Sequence, residues 1–174
     1  MEALENFKGE IEEIEELLTQ PPEYIYSKLY NFAKLRILLE DLHLDKKELD
    51  EYARKVGKEY VTELELTDFP PDIAEKIKGK MFERLRKSVE NMKRIYNEAL
   101  QLNDKIEKAV LELEKDRYSP FEMNGVKYNG DIFHSWIHSC VEDKFGKHID
   151  KTLALLIYLE IAERLRRDGY WVHS

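Results

Sequence analysis

One apolar seam constrains this chain more than any other feature. From Ile73 through Ile77, Met81, Leu85, Val89, Met92, Tyr96, Ala99, Leu102, Ile106, Ala109 and Leu113, hydrophobic residues recur every three or four positions without losing step. That is the period of one face of an α-helix. Pro71 opens the stretch, where a first helical turn tolerates proline. The spacing predicts a long central helix over 71–116. At 1.5 Å per residue it would reach about 70 Å, longer than a domain of this size is wide. Such a helix either breaks, with Asn103-Asp104 as the restart point, or projects and takes a partner; the unbroken seam favours one long helix.

Shorter seams surround it. Leu4, Phe7, Ile11, Ile14 and Leu18 mark a first helix, ended by Gln20-Pro21-Pro22 and carrying Glu on its other faces. A second runs from those prolines to about His43, with Ile25, Leu29, Phe32, Leu35, Leu39 and Leu42 on one side and Tyr26, Tyr30, Ile37 and Leu38 widening the stripe. Asp45, followed by Glu48, reads as a capping-box start for a third through Leu49, Ala53, Val56, Tyr60 and Leu64. Asn124-Gly125, flanked by alternating apolar residues, predicts a β-hairpin near 119–129, because both turn residues adopt positive φ easily. Asp131 after Gly130 reads as the N-cap of a helix to about Lys144. A last helix near 150–168, with Gly169 as its C′ residue, contains Leu153 to Leu159, apolar on all sides and expected in the middle of the bundle. The expectation is all-α: one helical domain over 1–174, a bundle of five or six helices with one long central helix, the hairpin, and two C-terminal helices in 131–168.

Seven consecutive apolar residues are the longest run among the 174, so no membrane span is expected. The first residues are acidic where a leader would be basic, which points to a cytoplasmic location. Cys140 is the single cysteine, so an internal disulfide and a Cys-based zinc site are excluded. The Lys- and Glu-rich, Gln-poor balance is of the kind thermophile proteins show.

Three stretches carry chemistry. Steps of three, four and four set Asp131, His134, His138 and Glu142 along one helical face, a ligand set for a divalent metal and for a metal-dependent bundle enzyme. No cofactor is firmly implied beyond that metal. Glu48 with Glu51 and Glu65 with Asp68 resemble paired Mg²⁺ carboxylates, but the same Glu-x-x-Glu spacing starts at Glu2, Glu10, Glu12, Glu13 and Glu160, so it singles nothing out. Between 76 and 94 eight bases face only Glu83 and Glu90. Lys76, Lys80, Arg84, Lys87 and Arg94 are therefore candidates for contact with nucleic-acid phosphates or with an acidic partner such as the Glu-rich first helix. The reading that explains most of these features is a protein–protein interaction or assembly module that self-associates or takes a protein partner. The metal enzyme and the nucleic-acid binder are its alternatives.

Overall fold

The computed structural model describes residues 2–115 and 117–173. Among them are eight α-helices: α1 (Glu2–Leu17), α2 (Pro22–Lys28), α3 (Asn31–Leu35), α4 (Lys46–Lys55), α5 (Pro71–Gln101), α6 (Asn103–Lys115), α7 (His134–Phe145) and α8 (Lys151–Arg167). Four short strands make two sheets: β1 (Phe121–Met123) pairs antiparallel with β2 (Val126–Tyr128), and β3 (Gly130–Phe133) pairs parallel with β4 (Tyr170–His173). The chain is predominantly helical, as expected, with more and shorter helices than the seams suggested. No helix is long and apolar enough to cross a membrane.

The residues group into two compact units, 12–90 and 2–11 with 91–173. In the first, Ile25, Tyr26, Ile37, Leu38, Leu64 and Ile77 are fully buried among one another's neighbours. The predicted single helix from Pro22 to His43 is broken. Leu29 and Tyr30 take extended backbone, and Arg36–Asp41 forms a π-turn. Tyr30, 76% exposed, and Phe32, 61% exposed, leave the core and stack on each other at 5.7 Å. The third helix also ends early. Gly57, at φ +87°, closes a Schellman motif in which Lys58 N–H reaches Ala53 C=O and Gly57 N–H reaches Arg54 C=O. Val61–Glu63 and Leu66–Asp68 then continue as single 3₁₀ turns. Asp45 does cap α4, accepting from Lys47 N–H rather than from Glu48.

In the second unit α6, α7 and α8 pack on one another around Ile106, Ile137, Ile157 and Ile161, closed by Leu4 and Ile95. The long seam is two helices, divided at Leu102, with α6 restarting at Asn103. α5 is still the longest, at 31 residues; the predicted end at Asp116 lies outside the described residues. The hairpin forms as expected, with Asn124 at φ 52° and Gly125 at φ 77°, a type I′ pair. Asp131 is not a helix cap. It sits in β3 opposite Trp171, because the apolar C-terminal segment returns as β4 and holds 130–133 extended, and α7 starts three residues later, at His134. Gly169, at φ +89°, turns the chain from α8 into β4.

Candidate functional site

The four residues read as a metal set are not brought together. Asp131 Oδ2 lies 3.2 Å from His173 Nε2, while the His134 and His138 rings meet edge-on at 5.8 Å and His138 stacks on Tyr158 at 4.3 Å. Glu142 is exposed and shares with His138 the wall of a shallow cavity of about 240 Å³. Among the described residues no group of three or more His, Cys, Asp or Glu side chains could hold a metal ion. The helical-face argument fails at its first member, since a residue in a strand follows a different period from the helix after it.

His173 itself is tied at both nitrogens. Trp171 Nε1–H, which can only donate, points at His173 Nδ1 at 3.2 Å, so Nδ1 accepts and the ring proton sits on Nε2, donated to Asp131. An imidazole so placed has no free nitrogen with which to take a proton from a substrate. Cys140 is no better as a nucleophile, because burial pushes its thiol up, away from the thiolate.

Much of the basic stretch is paired with nearby carboxylates. Arg84 grips Asp41 through Nε and Nη2 at 2.5 and 2.7 Å, and lies 3.8 Å from Glu40. That paired geometry lowers the Asp41 carboxyl and raises the Arg84 guanidinium. Lys78 reaches Glu23 of α2 at 3.9 Å, Lys80 and Lys87 both pair with Glu83, and Arg94 pairs with Glu98. Lys76 is exposed.

A different surface is left open. Along α8, Leu155 is 55% and Leu159 42% exposed, contrary to the expectation that this apolar helix is enclosed. They line a groove of about 440 Å³ between α8 and the first turns of α1, floored by Ala3, Phe7 and Leu156 and rimmed by Glu2, Glu10 and Glu163. The helix is anchored beneath by a polar link. Glu160, fully buried, accepts from Leu4 N–H at 3.3 Å and from Arg164 Nε at 2.8 Å, while Arg164 Nη2 donates to Asn103 Oδ1 at 2.6 Å. Removing one partner of such a buried pair strands the other charge, so the link fixes α1, α6 and α8 together. At the C-terminal end of α8, Glu114 hydrogen-bonds Asp168. Burial first, and that neighbour second, push the Glu114 carboxyl up to about 7.

No protein-family model, curated protein or solved structure matches the chain. The site therefore rests on its own geometry. Sequence reasoning missed both the open α8 face and the carboxyl pair. Leu155 and Leu159 stand four apart inside a run with no polar residue to mark an outer side, and Glu114 and Asp168 are 54 positions apart.

Proposed function

We propose that this protein is an assembly module that acts by protein–protein contact through the α1–α8 groove. The observation that carries this reading is the pair of large aliphatic side chains held exposed on a rigid helix, beside an apolar floor with a charged rim. Apolar surface of that kind is gained by a partner helix that lays its own apolar face into it. Chemistry has less support: the imidazole nearest a carboxylate is fully occupied, the thiol is held protonated, and the basic stretch spends most of its charge on neighbouring carboxylates. The anchoring of α8 by Glu160 and Arg164 is what an interface helix needs, since a pre-ordered surface loses little conformational entropy on association.

Light scattering over a concentration series tests the proposal. The wild-type chain is expected to self-associate, and the double variant Leu155→Ser, Leu159→Ser to be monomeric with unchanged helical circular dichroism, because both side chains already face solvent. A double variant that associates as the wild type does would remove the groove from the interface.

A further inference from the structure

The occupant of that groove can be read from the helix itself. Lys151, Leu155, Leu159 and Glu163 stand four apart and form one ridge of α8. Lys151, Leu155 and Leu159 are exposed, and the Glu163 side chain is 32% exposed, with Arg166 Nη1 at 2.9 Å as its ion-pair partner. Read in reverse, the ridge is its own complement: Glu, Leu, Leu, Lys against Lys, Leu, Leu, Glu.

The geometry points to a second copy of this chain as the occupant, with the two α8 helices antiparallel across a twofold axis beside Ile157. Leu155 of each copy then meets Leu159 of the other, and Lys151 of each meets Glu163 of the other. This rests on the assembly reading above and adds to it the partner and the register. A twofold contact requires one surface to be complementary to itself, and this ridge meets that requirement in both polarity and charge. Packing fits as well. Ridges of residues four apart interdigitate when two helices cross at about −50°, which aligns the ridges side by side along their length and brings both charged ends into register. The groove between α8 and α1 is the space into which the partner's ridge falls. A foreign helix would need basic residues toward the Glu2, Glu10 and Glu163 rim, but nothing in the groove would specify the reciprocal pattern that α8 carries.

Charge reversal tests the register. Lys151→Glu alone sets two acids against each other at both ends of the interface, and Glu163→Lys alone sets two bases. Each single variant should dimerise on the order of tenfold or more weakly than wild type. Mixed in equal amounts, the two variants regain opposite charges at both ends and should form a heterodimer, seen by native mass spectrometry, at close to the wild-type constant. The double variant Lys151→Glu, Glu163→Lys should recover homodimers. Circular dichroism checks that each variant is folded; both positions lie on the surface. If wild type dimerises and the single reversals dimerise equally well, the antiparallel register is wrong while the assembly reading stands. A wild-type chain that is monomeric up to high micromolar concentration overturns both.

Discussion

Replacing Glu114 with Gln should make the protein more stable at alkaline pH and leave it nearly unchanged at acid pH. Glu114 has an ordinary value of 4.5 and is pushed up to about 7, first by burial and then by its hydrogen bond to Asp168 and that carboxylate's charge. One of its oxygens, Oε1, is buried without a hydrogen-bond partner. The folded state thus binds a proton between about pH 4.5 and 7 that the unfolded chain has released. The resulting stabilisation is complete below the unfolded value and is lost as pH rises through the folded one. A shift of that size corresponds to roughly 3 kcal/mol; the pair is only partly enclosed, and solvent screening leaves roughly 2 kcal/mol. Gln keeps a donor toward Asp168 and cannot ionise. At pH 8 the variant should exceed wild type by roughly 2 kcal/mol, a rise in Tm of about 4–8 °C for a chain of this length, and at pH 4.5 the two should agree within about 1 kcal/mol. Urea melts of both proteins between pH 4.5 and 8.5 measure the difference, in which titrating groups that do not interact with Glu114 cancel. Parallel pH profiles would refute the raised Glu114 carboxyl.

Three further outcomes follow from the same structure. Gly130→Ala should lower stability by roughly 1–3 kcal/mol in urea melts, because a Cβ there collides with the backbone carbonyl oxygen of Arg117, which cannot move as a side-chain end could. Long-range ¹H–¹⁵N NMR should find neutral His173 with its proton on Nε2, since Trp171 occupies Nδ1 as a donor; an Nδ1–H signal would contradict that arrangement. Arg84→Met should cost up to about 1 kcal/mol at pH 7, as the pair is partly exposed. Asp41 is held below the ordinary carboxylate range, so its stabilisation is present at neutral pH and lost as pH falls through the lowered value. The gap between variant and wild type in acid titrations of stability should close there.

What could be read from the residues was whatever local rules decide. Asn124-Gly125 marks its turn because both φ angles must be positive, Asp45 marks a helix start because its carboxylate meets orphan N–H groups, and Gly169 marks a helix end. The long seam was correct as a face and wrong as one rod; its break came at Asn103, whose side chain is engaged by Arg164 from 61 positions away. Gly57 was a legible stop, and the apolar step through Val56, Tyr60 and Leu64 obscured it. Beyond local reach the sequence is silent. β3 and β4 pair across some forty residues, so Asp131, placed after a glycine and before an apolar run, looked like a cap while its backbone was committed to Trp171. The candidate site was least legible of all. An all-apolar run such as Leu153 to Leu159 fixes that α8 is buried on several sides, and only the packing of α1, α6 and α7 around it decides which side stays open.

The charge of the chain bears on how the proposed pairing responds to salt. Two like-charged copies, each of net charge −8, repel one another at long range, and salt screens that repulsion. With a Debye length of about 30 Å at 0.01 M salt much of that repulsion survives; at 0.15 M, where the length is about 8 Å, it is nearly gone. The two Lys151–Glu163 contacts act over a few ångströms and are weakened only at higher salt, while the Leu155–Leu159 contacts do not depend on charge. Dimerisation should therefore tighten from 0.01 to 0.15 M salt, then loosen modestly toward 1 M. A variant with Lys151→Gln and Glu163→Gln has the same net charge and lacks those contacts, so it should tighten over the first range and show no loosening over the second. Sedimentation equilibrium at the three salt concentrations measures both curves. Wild-type association that weakens steadily from the lowest salt upward would mean that attraction between opposite charges dominates at long range, a result incompatible with two acidic copies meeting through a mainly apolar ridge.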